Sequence, residues 1–161
     1  MPLFLSTTTN KIDKKGRLSV PVQFRANIGV EAFQGIVIYP SFKHDCLHGT
    51  DMGYMERLSD SIHGDFGLYS DENEALATSI LAASNQLAFD PEGRVTLPKA
   101  MLDHAGISEQ ATFVGLGSTF QVWQPHAYEK FREKQLDVAR QQARNLRPVP
   151  QNTNKPDKGD G

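Results

Sequence analysis

Several features that define whole classes of proteins are missing from this sequence of 161 residues. It contains one cysteine, Cys46, so the chain cannot form an internal disulfide, and sparse cysteine is typical of a reducing compartment. No apolar run approaches the ~20 residues that span a bilayer. The opening Met1–Leu5 has no basic start and is too short for the apolar core of a signal peptide. We therefore expect a cytoplasmic protein without a membrane partner.

An excess of basic residues is also absent. The net charge is −2 and the pI is about 6.2, which argues against nucleic-acid binding by the chain as a whole. The charges are nevertheless separated along the sequence. Residues 1–25 carry five basic residues and one acidic residue, and residues 128–147 carry six and three. Residues 45–74 carry eight acidic residues and one basic residue, so a basic surface is compatible with the negative total.

One nine-residue pattern occurs twice. Residues 13–21 read D-K-K-G-R-L-S-V-P, and residues 90–98 read D-P-E-G-R-V-T-L-P. The same offset of 77 residues pairs Gly29 with Gly106 and matches apolar positions across both segments. Because glycine and proline each impose special backbone geometry, the match indicates a structural repeat.

Each copy of the pattern predicts a hairpin tip between two short strands. Aspartate at the first position and glycine at the fourth suit a type I turn, and the flanking residues alternate as strands do. The proline that ends each pattern, with a glycine eight residues later, predicts a helix of about two turns. A repeat of about 45 residues buries too little surface to be stable alone, so we expect the two to share one core.

These patterns predict an α+β protein that is mainly β with short helices. The predicted segments are a first repeat at 7–54, a helical connection at 55–83, a second repeat at 84–127, a C-terminal helix at 128–147 and a disordered tail at 148–161.

The doubled motif, together with Phe4-Leu5, Cys46-Leu47 and Phe120–Trp123, resembles the MraZ family of bacterial transcriptional regulators, which contain two SpoVT-AbrB repeats. The resemblance covers roughly residues 1–147. It implies tandem AbrB-like swapped-hairpin repeats that form a pseudo-dimeric barrel, and a ring-shaped homo-oligomer. It also implies a nucleoid-associated protein, neither an enzyme nor a user of cofactors. Such a protein binds direct repeats in double-stranded promoter DNA of the cell-division and cell-wall operon that includes its own gene.

The resemblance places DNA contact in the basic loop of the first repeat, which is Lys14, Lys15, Gly16 and Arg17. Lysines bind phosphates without reading sequence, whereas a planar arginine can read guanine. Lys11 is a weaker candidate for DNA contact.

The role of Arg17 is open at this point, because it can read a base or organise the loop through Asp13. In the second repeat we expect Asp90, Gly93 and Arg94 to organise the turn only. There the rigid, acidic pair P-E replaces the two lysines, so the second tip suits phosphates less well.

Two alternatives remain. AbrB-like modules also serve as antitoxins and as other global regulators, usually with a single repeat. In a different class, His44, Cys46 and His48 could ligate a transition metal, with Asp45 and His63 as further donors. No CxxC or second histidine pair completes a four-ligand zinc site, so we predict no metal ligands. The strand register of residues 35–55 is also open, because an apolar strand precedes the cysteine where the family has one after it.

Overall fold

A computed structural model describes residues 2–64 and 67–151. The strands are β1 (Thr7–Lys11), β2 (Arg17–Ser19), β3 (Gly35–Pro40), β4 (Leu47–Thr50), β5 (Asn85–Ala88), β6 (Arg94–Thr96), β7 (Gln110–Gly115) and β8 (Phe120–Trp123). The α-helices are α1 (Val22–Ala26), α2 (Met52–His63), α3 (Asp71–Leu76), α4 (Lys99–Ala105) and α5 (Pro125–Gln142). Short 3-10 turns lie at Gly67–Tyr69 and Ala143–Asn145, and a π-helical turn at Ala77–Leu81 continues α3. The predicted α+β class with a sheet core is confirmed. No described helix has both the length and the apolar character needed to cross a membrane.

Six strands form one antiparallel sheet in the order β1-β7-β8-β4-β3-β5. The first strand of each repeat pairs with the other repeat: Thr7 lies opposite Val114, and Gly35 lies opposite Ala88. Strands β2 and β6 pair with each other in a separate two-stranded sheet. Each repeat therefore completes the sheet of the other.

The barrel implied by the resemblance is not closed in the described residues. Strands β1 and β5 are the two edges of the large sheet. Closure would need β2 and β6 to continue the ladder from these edges, but these strands have only three residues each and bond mainly to one another. Strand β2 is linked to the β1 segment by an isolated bridge between Ile12 and Leu18 and by a side-chain hydrogen bond from Asn10 to the Ser19 carbonyl, and not by a continuous ladder.

The main core combines side chains from both repeats. Its centre is a cluster of fully buried phenylalanine rings, with centroids 5.0–6.0 Å apart and mostly edge-to-face geometry: Phe4, Phe24, Phe113 and Phe120. Such aromatic pairs add to the stabilisation that burial gives. A second cluster lies where α2 and the π-helical turn cover β3, with Val37, Met55 and Ile80 at its centre.

The ends of the two repeat helices differ from the predicted pattern in one place. Pro21 and Pro98 take the N-cap position, one residue before each helix begins. Helix α4 ends as predicted, because Gly106 adopts the left-handed conformation with φ +63°. Helix α1 instead ends at Asn27, a right-handed residue, so Gly29 lies past the helix and does not terminate it.

Residues 35–55, whose strand register was open, contain a simple hairpin. Strands β3 and β4 pair with Tyr39 opposite His48 and Pro40 opposite Leu47, so residues 41–46 form the connecting loop. Helix α5 begins three residues before the predicted start at 128. Of the predicted disordered tail, residues 152–161 lie outside the described residues.

Removing the Phe4 ring tests the shared core. We expect Phe4→Ala to lower the free energy of unfolding by about 3–5 kcal/mol, because the ring is fully buried between Phe24 and Phe120. The matched control is Phe42→Ala, since that ring is 69% exposed and its loss should change stability by less than about 0.5 kcal/mol. Urea unfolding measures both, and equal losses would contradict this description of the core.

Candidate nucleic-acid interface

The carboxylate of Asp13 organises the first turn. Its Oδ1 accepts hydrogen bonds from the backbone N–H groups of Lys15 and Arg17, both at 2.9 Å. Its Oδ2 accepts from Nε of Arg17 in an ion pair. The backbone closes the turn with Gly16 N–H donating to the Asp13 carbonyl at 3.0 Å. Aspartate followed by a backbone donor two residues on is the local hydrogen bond that favours such turns.

Glycine is required at the fourth position of this turn. Gly16 has φ +81°, a conformation that side chains disfavour. A Cβ at Gly16 would also lie 2.9 Å from the carbonyl oxygen of Leu97, a backbone atom that cannot rotate away. The turn therefore lies against the other repeat with no space for a side chain.

The second turn repeats this geometry. Oδ1 of Asp90 accepts from the N–H groups of Glu92 and Arg94 at 2.9 Å, and Oδ2 accepts from Nε of Arg94 at 2.8 Å. Gly93 has φ +77°. Here the arginine has an additional acidic neighbour, because its Nη1 lies 3.5 Å from Oε2 of Glu92.

Each turn lies against the strand-to-helix junction of the other repeat. Leu97 N–H donates to the Gly16 carbonyl at 2.9 Å, and Val20 N–H donates to the Gly93 carbonyl at 3.1 Å. Because β2 and β6 are antiparallel, the two tips lie at opposite ends of that short ladder. The two tips are separate, but the two Asp–Arg pairs are electrostatic neighbours: the pKa of Arg94 is raised chiefly by its hydrogen bond to Asp90, and Asp13 of the first turn adds a smaller contribution.

The charges of the two tips differ although their frameworks match. Lys14 and Lys15 are both exposed, and Lys11 is exposed on the strand that leads into the turn. Pro91 and Glu92 occupy the corresponding tip positions of the second turn and are also exposed. The first tip therefore presents cations to solvent, whereas the second presents one carboxylate.

The terminal nitrogens of Arg17 are the other difference between the tips. The ion pair with Asp13 uses Nε, and in the described part of the chain no carboxylate other than Asp13 pairs with this guanidinium. Its side chain is 37% exposed, against 27% for Arg94. Arg17 can therefore stabilise the turn and still offer two donors to a ligand.

Sequence reasoning missed Arg25. Its Nε donates to the Val20 carbonyl at 3.2 Å, and its guanidinium lies directly over Gly93, where a Cβ would clash with it. The 77-residue offset matches Arg25 with Leu102, which lies over Gly16 in the same way at 3.8 Å. The signal was present in the repeat alignment, because a cation in one copy replaces an apolar residue in the other.

A groove of about 540 Å³ with both polar and apolar walls runs beside the β1–β2 hairpin. Its polar side chains are Ser6, Thr8, Asn10, Ser19, Gln23 and Arg25. The 77-residue offset matches four of them with alanine or leucine, at Ala83, Leu87, Ala100 and Leu102. Most of the polar lining therefore belongs to the first repeat, whereas Thr8 and Ser19 have polar counterparts at Asn85 and Thr96.

The histidine and cysteine residues of the β3–β4 loop do not assemble a metal site. Residues 42–46 are bends and not an extended strand, so His44, Cys46 and His48 do not lie along one face of a strand. Burial raises the pKa of the Cys46 thiol to about 12, and burial lowers the pKa of His48. Across residues 2–64 and 67–151, no group of three or more His, Cys, Asp or Glu side chains could hold a metal ion.

Comparison with known proteins covers both repeats. A family model described as "MraZ protein, putative antitoxin-like" matches residues 80–147. The protein named Transcriptional regulator MraZ from Rickettsia felis is 42% identical over 147 residues, covering 91% of this chain and 98% of that protein. The protein of the same name from Rickettsia akari gives the same values, and that from Rickettsia typhi is 40% identical over 149 residues, covering 92% and 99%. The family model spans the second repeat and α5, whereas these relatives span the first repeat as well.

The turn carboxylates should contribute to stability against acid. Hydrogen bonds from the backbone N–H of Arg94 lower the pKa of Asp90, and Arg17 does the same for Asp13. A lowered folded-state pKa gives stability that is present above the unfolded value near 3.8 and is lost as the pH falls through the folded value. We expect Asp90→Asn to be less stable than wild type near neutral pH and to lose less further stability on acidification to about pH 3.

Urea unfolding at several pH values measures this difference. Asp103→Asn is the control, because its carboxylate is 68% exposed and its ion-pair contact, with Lys99, is at 3.9 Å. That variant should follow the wild-type profile. An Asp90→Asn profile parallel to wild type would contradict the role of the carboxylate.

Proposed function

The chain belongs to the MraZ family of transcriptional regulators, and from this we propose that it binds double-stranded promoter DNA through the first turn, Asp13–Arg17. The observation that carries the proposal is the contrast between two turns of the same geometry. Only the first presents two lysines at its tip. Transcriptional regulators are not enzymes. The proposal also includes a cytoplasmic, nucleoid-associated location for the protein.

We infer that the DNA consists of direct repeats upstream of the cell-division and cell-wall operon that includes the protein's own gene. The family membership supports this target. One turn with three or four cations binds weakly at physiological salt. Several turns on one ring-shaped homo-oligomer would raise the avidity by about 10²–10⁴, because later contacts become intramolecular. Repeated DNA sites are the ligand that such an arrangement requires.

We also propose that the two repeats form the AbrB-like swapped-hairpin unit. The pairing of β1 with β7 and of β5 with β3 supports it, because each hairpin contributes its first strand to the other repeat. The β2–β6 ladder at the centre of the exchange supports it as well.

In this mechanism the lysines and the arginine of the first turn contact different parts of the DNA. Lys14 and Lys15 contact phosphates, and Lys11 adds a third cation on the approach to the turn. Arg17 is held through Nε by Asp13 and presents its terminal nitrogens to the O6 and N7 atoms of guanine. The ion pair fixes the direction of the guanidinium, so less rotamer entropy is lost on binding.

The groove beside the β1–β2 hairpin extends the proposed interface. The amides of Asn10 and Gln23 can donate and accept hydrogen bonds, as contact with base edges or sugars requires. The guanidinium of Arg25 adds a cation at the far end of the groove. The apolar residues at four of the six matching positions of the second repeat support a role for this groove in the first repeat.

Fluorescence anisotropy of labelled DNA from the upstream region of the protein's own gene tests the assignment. Arg17→Ala should lose specific binding, because a bidentate arginine–guanine contact is worth about 1–3 kcal/mol of discrimination. Arg94→Ala is the matched control, since it removes the same ion pair from the other turn. Each variant's assembly mass is checked alongside. Equal affinity of the wild-type protein for a scrambled sequence would contradict the proposal.

The salt dependence separates phosphate contacts from base contacts. We expect Lys14→Ala/Lys15→Ala to reduce the slope of log K against log salt by about 0.9 for each phosphate contact removed. The variant should lose affinity for specific and scrambled DNA alike. An unchanged slope would show that these lysines do not touch phosphates.

A further inference from the structure

An acidic surface covers the helical connection. The described residues of α2 and α3 include five exposed carboxylates and one arginine, Arg57. The carboxylates are Glu56, Asp60, Asp71, Glu72 and Glu74. Within the described part of the chain, none of these carboxylates lies within 4.0 Å of a basic side chain. The surface therefore keeps its negative potential.

The same surface exposes apolar side chains. Tyr69 is 97% exposed, and Leu68 and Leu76 are 44% and 39% exposed. Leu76 lies one helical turn after Glu72, so the acidic and apolar groups are neighbours. Exposed apolar groups rimmed by charge are typical of protein interaction sites.

The C-terminal unit, which begins at Lys130, has the opposite charge. Its described residues, 130–151, include six basic and two acidic side chains. No residue of α5 is buried, and Leu136 and Val138 are 39% and 52% exposed. Arg132, Leu136 and Arg140 follow one another at four-residue intervals, so a leucine lies between two arginines on one helix face.

We propose that residues 130–147 of one copy dock on the α2–α3 surface of a second copy of this chain. The two surfaces have opposite charge, and each exposes leucine beside its charged groups. DNA would match the charge of the helix but would leave Leu136 and Val138 in water, so a protein partner fits better. Because the complementary surface is carried by the same chain, a second copy is the partner that the observations favour.

Such a contact joins two different patches and is therefore heterologous. Heterologous contacts repeat from copy to copy and give a ring when the rotation closes. The inference rests on the self-assembly included in the proposed function, and it does not depend on which DNA is read.

Charge reversal on each surface provides the test. The acidic-surface variant is Glu56→Lys/Asp60→Lys, which avoids the carboxylates that favour the N-terminus of α3. The helix variant is Arg132→Glu/Arg140→Glu. Multi-angle light scattering without DNA should show that the wild type is an assembly and that each variant falls toward the mass of one chain. The control, Glu31→Lys/Lys43→Glu, reverses two exposed charges elsewhere and should keep the wild-type mass.

Mixing the two variants makes the test specific. Each variant alone removes the net charge of one surface, because the acidic surface then carries three residues of each sign and the C-terminal unit four of each. In the mixture, the unaltered basic helix of one variant can dock on the unaltered acidic surface of the other. The mixture should therefore be heavier than either variant alone. The wild-type assembly should also weaken as salt rises toward about 1 M, where the Debye length falls to about 3 Å.

Three results would overturn the inference. The first is unchanged mass in either variant while circular dichroism shows a normal fold. The second is a mixture that stays small, since that would mean the two surfaces do not meet between copies. The third is a helix variant that keeps its mass but loses DNA affinity, which would assign the helix to DNA. A wild type that remains a single chain yet binds promoter DNA specifically would reject the docking and leave the DNA assignment standing.

Discussion

The exchange of first strands between the two repeats is the constraint on which the other features depend. The backbone groups of β1 find their partners on β7, and those of β5 find theirs on β3. Since unpaired buried backbone groups are costly, neither repeat has a complete sheet without the other. The exchange also brings phenylalanines of both repeats into one cluster. It works only if the chain reverses sharply after each first strand, which is the task of the aspartate-centred turn.

That turn explains how one framework can present two tips of different charge. The carboxylate, the glycine and the arginine Nε supply the structural contacts in both copies. The two tip residues between the aspartate and the glycine point into solvent and take little part in the fold. They are therefore free to differ in charge, as Lys15 and Glu92 do. Arg25, which lies over the second turn, shows that the difference extends to the residues packed against each turn.

The features predicted from the sequence are those that local chemistry determines. The turn geometry follows from Asp13 and Gly16, because the hydrogen bonds and the positive φ arise within five residues. Features that depend on distant partners were missed. The barrel stays open because β2 and β6 bond to each other, and α1 ends before Gly29, although the glycine pattern matched α4. The position of Arg25 required knowing that α1 packs against the other repeat's turn. The DNA roles of the lysines remain predictions that the fold permits.

The distribution of charge resolves the apparent conflict between a net charge of −2 and DNA binding. Exposed charges act over about one Debye length, about 8 Å at physiological salt, so the groups near a tip matter more than the total. In the proposed assembly, the carboxylates of α2 and α3 face the basic helix of a neighbouring copy. Each contact then neutralises the two largest opposing charge groups. The basic residues of the first turns then remain exposed for DNA. Within each first turn, Asp13 is the acidic residue. A chain that is acidic in total can thus present a basic surface, because the proposed assembly places its acidic residues in contacts with other copies.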